Sequence, residues 1–566
     1  MRWKLKEEIN PEIVAHLQEV LKVDYVIAKL LVQRGISTFD EARSFFRPSL
    51  EELHNPFLMK DMDKAIDRIS KAIAANERIM IFGDYDVDGT TSVAMLASFF
   101  KSFYPYVDTY IPDRYNEGYG ISHLGIEEAF KNDVKLIVSI DCGIKSIGEI
   151  DYASELGIDF IVCDHHLPGE TLPNACAVLD PKREDCHYPF KELCGCGVGF
   201  KLMQAWLEYY KKPLDLITPY LDLVATAIVA DVVPMVGENR ILTYFGLDVI
   251  NSSPRPGLKA LLSSYKQEHF SISDIVYKIS PKINAAGRLE HGKYAVSLLS
   301  TNCIETANKL ADYILEINSE RKHLDQRITE QALQMIVENK EVFNKSTVVY
   351  NPNWHKGVIG IVASRLIETY YRPTIVFTDS GDHLAASARS VKNFDVYQAI
   401  KACSEYLIQF GGHKYAAGLT LYKDQFEAFK EKFEKVVSES LNESDLIPEL
   451  VIDAEVDFSV LNPKMIRVLR QFEPFGSGNE KPLFISSNVY DTGGKRYIGN
   501  RDEHLYLYVK QRGNLDRSFP VLGFHFGKFY KELDNRRFFN FVYTVEESHW
   551  KGSIRTQLFM KDMQLV

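Results

Sequence analysis

Three short apolar segments in the first half of the chain each lead into an acidic motif. Residues 79–82 precede Gly-Asp-Tyr-Asp-Val-Asp-Gly, residues 136–138 precede Ser-Ile-Asp-Cys-Gly, and residues 160–162 lie just before Asp-His-His. Helical segments alternate with these runs and predict a mostly parallel sheet with helices on its faces. Because open α/β sheets bind ligands at the carboxyl ends of their strands, we expect the acidic residues to share one crevice.

The acidic residues of this crevice predict bound metal ions. The three motifs and a fourth apolar segment at 223–230 supply Asp84, Asp86, Asp88, Asp141, Asp164 and Asp231. Carboxylates crowded at reduced dielectric repel one another by roughly several kcal/mol unless cations neutralise them. The Asp-His-His triplet adds imidazole to the oxygen ligands, a mixture that suits manganese, magnesium or zinc. Two such ions about 4 Å apart can hold a water molecule beside a phosphate, which is an arrangement for phosphodiester hydrolysis.

Each motif has a simpler explanation when it is taken alone. An EF-hand also alternates acidic residues, and Gly89 is sixth from Asp84, but the twelfth residue is Met95 and a strand precedes the loop. A solvated turn, a structural histidine pair and a helix cap would account for the other signals one by one. Their occurrence together, in this order, favours the metal centre.

The rest of the chain divides into segments of different pattern. A helical lead-in is expected over 1–60 and the parallel-sheet domain over 61–300. A segment at 301–340 predicts one long connecting helix, because apolar residues recur three, four or seven apart at Leu310, Ile314, Ile317, Leu324, Ile328 and Met335. Strand-like runs at 347–350 and 374–377 and a helical run at 425–441 predict a second α/β domain over 341–445. Short aromatic-rich strands over 446–566 predict a small β-barrel or sandwich.

These motifs, in this order, resemble the DHH phosphoesterase superfamily, which is named after the Asp-His-His triplet. Further motifs resemble its RecJ family of single-strand-specific DNA exonucleases: Ile-Pro-Asp-Arg-Tyr at 111–115, Asn-Ala-Ala-Gly-Arg-Leu at 284–289, Gly-Gly-His-Lys-Tyr-Ala-Ala-Gly at 411–418 and Pro-Phe-Gly-Ser-Gly-Asn at 474–479. The resemblance implies an α/β fold with a DHH domain, a long connecting helix, a DHH-associated domain and a C-terminal OB-type barrel. It also implies a metal-dependent exonuclease that hydrolyses single-stranded DNA from 5′ to 3′ by a two-metal mechanism, in DNA repair and recombination.

The same resemblance assigns roles to the residues of the motifs. One Mn²⁺ or Mg²⁺ ion is expected on Asp84, Asp86 and Asp141, and a second on Asp88, Asp141, His165 and Asp231, with Asp141 bridging the two. Asp164 is expected to orient a histidine, and His166 to contact the scissile phosphate. The pyrophosphatase branch of the superfamily has histidines in the first motif, where this chain has Phe82 and Asp84, which points away from a pyrophosphatase.

Recognition of a 5′ end requires a pocket for a terminal phosphate. The candidates are Arg114, Arg288, Ser387 and Arg389, because a guanidinium group matches phosphate oxygens bidentately. Surface salt bridges are the alternative for these arginines. Gly412 and His413 are expected to contact the substrate, with a tight turn and a packed histidine as the alternative.

Two other groups of residues leave alternatives open. In the barrel segment Tyr506, Tyr508, Phe524 and Tyr543 could stack on bases or belong to the core. Farther towards the N-terminus, Cys186, His187, Cys194 and Cys196 suggest a zinc site, but their spacing fits no common zinc pattern.

Composition limits the class of protein. A chain of 566 residues is too long for one core, and its 46% apolar and 25% charged residues are typical of soluble globular proteins. Eight cysteines are too few for a disulfide scaffold of this size, which indicates a reducing cytoplasm. No apolar run is long enough to span a membrane. The net charge of −11 argues mildly against a nucleic-acid partner, although cations bound at the acidic motifs would offset part of it.

We therefore expect a cytoplasmic monomer that binds single-stranded DNA and no membrane, with a single-strand-binding protein and a helicase as further partners. Two other functions remain open. One is a DHH phosphodiesterase of short oligoribonucleotides or cyclic dinucleotides, a class that usually lacks the long helix and the barrel. The other is a DHH-like binding or scaffold protein, in which loss of the acidic ligands would mark the loss of catalysis.

Overall fold

The computed structural model describes residues 1–7, 9–499, 501–533, 537–550 and 553–566. The chain forms two compact units. The first unit comprises Met1–Asn55, Val232–Asp248 and Glu449–Val566, and the second comprises Pro56–Asp231 and Val249–Pro448. Among the described residues, no helix combines the length and the apolar character needed to cross a bilayer.

The second unit contains the expected parallel sheet. Its five strands lie side by side in the order Val107–Tyr110, Arg78–Gly83, Val134–Ile140, Asp159–Cys163 and Ala177–Leu179, and all of them run in parallel. The central strands are almost wholly buried, because helices cover both faces of such a sheet. The strands expected at 79–82, 136–138 and 160–162 are therefore confirmed.

Helices of the second unit pack on this sheet and on one another. The helix expected at 91–103 begins earlier and spans Val87–Lys101, because the Asp86 side chain accepts the Gly89 N–H at 3.0 Å and caps its first turn. The others are Met62–Ala74, His123–Lys131, Ile147–Glu155, Gly195–Tyr209, Leu221–Ala230, Pro256–Leu262, Ile272–Asp274, Ser280–Leu289 and Lys293–Ser300. A π-helical turn, Ile275–Ile279, precedes Ser280–Leu289.

The long connecting helix is confirmed and spans Ile304–Glu338. Its apolar stripe is buried at Ile314, Ile317 and Ile328. It packs against the helices Ser280–Leu289 and Ile359–Thr369, so its stability comes from tertiary contacts along one face as well as from its own hydrogen bonds.

A second sheet of the second unit is mixed. Its strands lie in the order Leu407–His413, Ala416–Tyr422, His383–Arg389, Thr374–Ser380 and Thr347–Tyr350, and only the last two pair in parallel. The helices Ile359–Thr369, Val396–Lys401 and Phe426–Ser440 accompany it. Phe429 and Phe433 of the last helix are fully buried and enter the core of this sheet, which confirms the helix expected at 425–441.

The first unit is built around a barrel. Its strands lie in the order Ala454–Glu455, Phe484–Asp491, Phe539–Trp550, Ser553–Leu565, Asn514–Gly523, His504–Gln511 and Arg496–Ile498. A further pairing between Phe484–Asp491 and His504–Gln511 closes five of them into a barrel. The helices Pro11–Leu21, Tyr25–Val32, Phe39–Phe46 and Pro463–Arg470 share its apolar core, and Arg2–Leu5 pairs in parallel with Glu449–Ile452. The helix Gly237–Ser252 crosses the boundary between the units.

The barrel separates the four aromatic residues that were considered for base stacking. Tyr543 is fully buried, stacks on Phe541 at 4.5 Å between ring centroids, and shares a 2.8 Å hydrogen bond with Ser486 Oγ. The stacking role considered for Tyr543 is therefore wrong. Tyr508 is 37% exposed and Phe524 is 50% exposed, so these two can reach a ligand, whereas Tyr506 is half-buried.

Candidate active site

Three acidic residues line up at the carboxyl edge of the parallel sheet. Asp84, Asp141 and Asp164 each come one residue after a strand, and those strands end in register, Gly83 beside Ile140 and Ile140 beside Cys163. This is the edge at which open α/β sheets hold their ligands.

Four of the predicted metal ligands converge on one point in front of this edge. His165 Nε2 lies 3.1 Å from Asp141 Oδ1, 3.7 Å from Asp231 Oδ2 and 3.8 Å from Asp88 Oδ2. Asp88, Asp141 and His165 are buried, and Asp231 follows the C-terminus of the helix Leu221–Ala230. Potential ligand atoms of Asp88, His165 and Asp231 all lie within 4.8 Å of one another, as do those of Asp141, His165 and His166.

Backbone amides hold the Asp88 carboxylate in place. Asp88 lies in the first turn of Val87–Lys101, and its two oxygens accept hydrogen bonds from Gly195 N at 2.7 Å and Cys196 N at 2.8 Å. Those amides open the helix Gly195–Tyr209, whose N-terminus favours negative charge. Sequence reasoning missed both donors, because no sequence signal relates residue 88 to residue 195.

Asp84 and Asp86 form the other part of the acidic cluster. Asp84 is fully buried, and neither of its carboxylate oxygens has a hydrogen-bond partner of good geometry among the described residues. Burial and the charge of Asp86 raise the pKa of Asp84 well above its usual value, even though the nearby amides of Tyr85 and Gly120 act to lower it. Burial and the charges of Asp88, Asp86, Asp231 and Asp84 raise the pKa of Asp141 in the same way.

Such a set of carboxylates fits hard divalent cations. Buried oxygens without partners are costly unless a cation or a donor satisfies them, and oxygen with imidazole is a suitable ligand set for Mg²⁺ or Mn²⁺. Burial also lowers the pKa of His165 to about 4, which keeps its imidazole neutral, as a metal ligand must be.

Close packing restrains the Asp141 backbone. Asp141 has a φ of 61°, a left-handed conformation that is uncommon for a residue with a side chain and is typical of functional sites. Gly195 lies against it, because a Cβ atom at this glycine would be 2.6 Å from Asp141 Cβ and 2.8 Å from Asp141 Oδ1. Only glycine allows the helix Gly195–Tyr209 to approach the cluster this closely.

Asp164 anchors His166 and contributes no ligand to the groups described above. It is buried and accepts hydrogen bonds from Ile144 N at 2.9 Å, His165 N at 2.7 Å and His166 Nδ1 at 2.7 Å. Burial acts to lower the pKa of His166, but the hydrogen bond and charge of Asp164 outweigh it and raise that pKa to about 9. His166 Nε2 lies 3.3 Å from the hydroxyl of Tyr119, a neighbour that sequence reasoning also missed.

The predicted phosphate ligands converge beside the acidic cluster. Burial, followed by the charges of Arg114 and Arg389, lowers the pKa of Arg288 to about 10. Burial and Arg114 likewise lower the pKa of Arg389. We call Arg114, Arg288 and Arg389 the arginine cluster. It lies beside the acidic cluster, because Arg114 packs on the ring of Tyr85, the residue between Asp84 and Asp86.

Each arginine is held by a different element. Arg389 ends the strand His383–Arg389 and donates to Ser387 Oγ at 3.0 Å. Arg288 lies in Ser280–Leu289 and donates to the Gly357 carbonyl at 3.3 Å. The guanidinium carbon of Arg114 lies 4.9 Å from the ring centroid of Tyr85.

The first turn of a helix completes this basic surface. A Cβ atom at Gly360 would lie 2.9 Å from Ser387 Oγ and 3.0 Å from Arg389 Nη2, so the start of Ile359–Thr369 approaches both side chains. Lys356 precedes this helix, and burial and the charge of Arg114 lower its pKa. Neither feature was predicted, because the sequence around Lys356 reads only as a turn before an apolar helix.

Gly412 and His413 lie at the tip of the hairpin between Leu407–His413 and Ala416–Tyr422, and both are exposed. Gly412 has a φ of 144°, and a Cβ atom there would be 2.4 Å from the Ala416 carbonyl oxygen, so the turn itself requires glycine. His413 Nδ1 accepts the Tyr415 N–H at 3.3 Å. A substrate contact by these residues stays a prediction.

The cysteine-rich segment gives no support to a zinc site. Cys186, Cys194 and Cys196 are buried free thiols, and none of them joins a potential metal-ligand group within the part of the chain that the structure describes. Cys194 instead caps the helix Gly195–Tyr209, its sulfur accepting the Gly197 N–H at 3.3 Å.

Three family models match the chain. The N-terminal domain of the DHH family matches residues 78–228, the DHHA1 domain matches residues 343–439, and the RecJ OB domain matches residues 452–562. They cover, in turn, the parallel-sheet region, the mixed sheet and the barrel.

Curated proteins and solved structures resemble the chain over most of its length. The single-stranded-DNA-specific exonuclease RecJ of Bacillus subtilis is 34% identical over 566 residues, which are 99% of this chain and 70% of that protein. The enzyme of the same name from Escherichia coli is 33% identical over 509 residues, which are 86% of this chain and 87% of that protein. A crystal structure of RecJ in complex with Mn²⁺ from Thermus thermophilus has a TM-score of 0.84 at 26% identity, covering 100% of this chain and 79% of that one. A second, in complex with Mg²⁺, has a TM-score of 0.78 at 25% identity and covers 100% and 78%.

Proposed function

Because the chain belongs to the RecJ family of single-stranded-DNA-specific exonucleases, we propose that it hydrolyses single-stranded DNA from the 5′ end with two divalent cations. The observation that carries this proposal is the convergence of Asp88, Asp141 and Asp231 on His165, with the carboxylate of Asp84 buried nearby. A binding protein without catalysis would have no need to hold these mutually repelling groups together.

The proposed ligands divide into two sets that share Asp141. Asp84, Asp86 and Asp141 would hold one cation, and Asp88, Asp141, His165 and Asp231 would hold the other. Mn²⁺ and Mg²⁺ are supported by the related structures that contain them. Bound there, the cations would make water a stronger nucleophile and offset charge that develops on the phosphate.

His166 is proposed to bind the scissile phosphate. Asp164 accepts a hydrogen bond from Nδ1, so Nε2, which lies 3.3 Å from the Tyr119 hydroxyl, is the nitrogen left to donate towards an anion. Asp164 therefore acts as a positioning residue, because it fixes both the orientation and the charge of this ring.

The 5′ polarity of the reaction is proposed to come from the arginine cluster. All three guanidinium groups are half-buried, and burial followed by the charge of Arg114 lowers the pKa of both Arg288 and Arg389. A doubly charged terminal phosphate bound among the three would relieve this repulsion. Ser387 Oγ and the first turn of Ile359–Thr369 add hydrogen-bond donors suited to the same anion. An internal phosphodiester carries less charge and has no free end, so it would satisfy this pocket less well.

The metal assignment is tested by Asp141→Ala, with Asp151→Ala as a matched control on the exposed face of Ile147–Glu155. We expect Asp141→Ala to abolish cleavage of a 5′-phosphorylated oligonucleotide with Mn²⁺ or Mg²⁺ and Asp151→Ala to cleave normally. Strands labelled at either end, incubated with either metal or with a chelator, report metal requirement and polarity together. Unchanged cleavage by Asp141→Ala would contradict the metal centre.

The terminal-phosphate pocket is tested by Arg389→Ala, with Arg327→Ala as a control on the exposed side of the long helix. The Arg389 variant should raise KM or slow turnover chiefly on strands that carry a 5′-phosphate. Equal losses on strands with and without that phosphate would refute the pocket and leave the metal assignment intact.

The family resemblance also supports a place in DNA repair and recombination, in the cytoplasm, as a monomer that meets a single-strand-binding protein and a helicase. These remain proposals. Co-purification of the full chain with each partner, and strand degradation with and without them, would test the two interactions separately.

A further inference from the structure

A second basic cavity lies in the second unit, apart from the acidic cluster. It encloses ≈ 330 Å³, a volume within the range of small-molecule sites. Three helical segments form its walls: the turn Ile275–Ile279 with the start of Ser280–Leu289, the long helix Ile304–Glu338, and Ile359–Thr369. Its lining includes Tyr265, Tyr277, Lys278, Arg321, Lys322 and Arg365.

Cations outnumber acidic groups around this cavity. The Asp325 carboxylate accepts a hydrogen bond from Arg321 Nη1 at 2.7 Å and also pairs with Arg365 Nη2 at 2.8 Å. Lys278 pairs with Asp274 at 2.5 Å. Lys282 lies behind the wall, where burial and then the charge of Lys322 lower its pKa to about 8. The positive charges therefore repel one another, and a bound anion would relieve that repulsion.

Arg321 is incompletely satisfied. Its guanidinium donates to Asp325 through Nη1 and to Asn318 Oδ1 through Nη2 at 2.7 Å, but Nε has no acceptor among the described residues. The side chain is nearly buried, at 7% relative exposure. A buried charged N–H group without an acceptor, in the wall of a cavity, is a position at which a phosphate oxygen would be stabilised.

Aromatic rings stand beside these cations. Tyr277 is 79% exposed, and it lies in the π-helical turn Ile275–Ile279, an irregularity that is frequent at functional sites. The ammonium nitrogens of Lys282 and Lys278 lie 4.2 Å and 5.1 Å from the ring centroid of Tyr265. An exposed tyrosine ring beside surplus positive charge is the combination that stacks a base while cations hold its phosphate.

We propose that this cavity binds a nucleoside phosphate, with the phosphate at Arg321, Lys322 and Arg365 and the base on Tyr277. The site is additional to the proposed terminal-phosphate pocket. The two sites interact electrostatically, because the charge of Arg321 acts to lower the pKa of Arg288 after burial and the charges of Arg114 and Arg389. The ligand is either a free mononucleotide or one nucleotide of a strand, since both present a base and a phosphate.

The test uses the full chain with the Arg389→Ala substitution, which weakens the neighbouring terminal-phosphate pocket. A metal chelator in the buffer prevents cleavage. Binding of dTMP and of a dT decamer without a 5′-phosphate is measured by titration calorimetry. Tyr277→Ala removes an exposed aromatic ring from the cavity, and Lys322→Ala removes an exposed positive charge from it. Phe343→Ala, at 96% exposure, and Lys309→Ala, exposed on the same long helix, are the matched controls outside it.

We expect Tyr277→Ala and Lys322→Ala to weaken binding about tenfold, and the two controls to leave it unchanged. Loss for dTMP identifies a mononucleotide site, and loss for the decamer alone identifies a contact with the strand. The proposal is overturned if neither ligand responds to the cavity variants. It is also overturned if inorganic phosphate binds as tightly as dTMP and Tyr277→Ala has no effect. Because no arm requires metal or cleavage, failure here leaves the proposed nuclease untouched.

Discussion

Replacement of Gly195 by alanine should disable the proposed metal centre without removing any ligand. The new methyl carbon would lie 2.6 Å from Asp141 Cβ, whereas ordinary van der Waals contact begins near 3.4 Å, so the two groups must separate by about 0.8 Å. The new methyl carbon would also lie 2.9 Å from Asp141 Cα, and this backbone atom cannot rotate away as a flexible side chain can. Overpacking of this kind costs about 1–3 kcal/mol of stability, and a ligand displaced by nearly 1 Å costs about a hundredfold in rate.

The assay compares kcat/KM on a 5′-phosphorylated single strand with Mn²⁺, together with the free energy of unfolding in denaturant. Gly197→Ala is the matched control two residues along the same helix, because its nearest neighbour, at 3.2 Å, is the Cδ2 atom of the Leu193 side chain. Gly148→Ala has no atom within 4 Å and controls for the helical preference of alanine. The reasoning is refuted if Gly195→Ala cleaves as well as Gly197→Ala.

Three further predictions concern other parts of the molecule. Arg240→Leu should lower the free energy of unfolding by about 3 kcal/mol or more, as measured by chemical denaturation. The buried guanidinium donates hydrogen bonds to main-chain carbonyls of Phe45, Phe472 and neighbouring residues, and leucine would leave these carbonyls without that donor. Tyr543→Phe should cost about 1 kcal/mol through loss of its hydrogen bond to Ser486 and should leave the affinity for a single-stranded oligonucleotide unchanged, a result that reduced affinity would contradict. Asp61→Asn tests linkage to pH. Burial acts to raise the pKa of Asp61, but hydrogen bonds from Lys64 and Arg183 outweigh it, so the folded pKa lies below the unfolded one. The stabilisation by Asp61 is then full above the unfolded pKa and lost as pH falls through the folded pKa. The difference in unfolding free energy between wild type and variant should accordingly shrink on acidification, and a constant difference would refute it.

Local structure followed closely from local pattern. The long helix was expected over 301–340 and spans Ile304–Glu338, because a 3.6-residue apolar period over so many turns is compatible with little else. The strands before the acidic motifs were found at the apolar runs, and the acidic residues follow the ends of these strands. The start of Val87–Lys101 was misplaced by four residues, because an aspartate that acts as a helix cap and one that faces a cavity look alike in sequence.

The candidate site could be predicted only in part from local sequence pattern. Strand ends predicted that Asp84, Asp141 and Asp164 would share an edge, and resemblance to a family supplied roles for the rest. The amides of Gly195 and Cys196, the hydroxyl of Tyr119 and the basic neighbour Lys356 carry no sequence pattern of their own. They become visible only when segments distant in the chain are packed together.

In the barrel, too, local sequence pattern did not determine which residues enter the core. Alternation along His504–Gln511 predicts that one face is buried, but it does not say which aromatic residues of other strands join that face. Tyr543 enters the core because its strand pairs with Phe484–Asp491, which places its hydroxyl against Ser486. Pairing partners are a property of the whole sheet.

The order of the motifs, the period of the helix and the apolar runs before each acid were determined by the sequence, because each depends on neighbours along the chain. Which amide meets Asp88, how near Gly195 comes to Asp141, and how the arginines come to share one small volume were decided by tertiary packing. The physical reason is range: secondary structure responds to residues within a few turns, whereas charge repulsion, burial and steric contact depend on distances in space that only the folded chain defines.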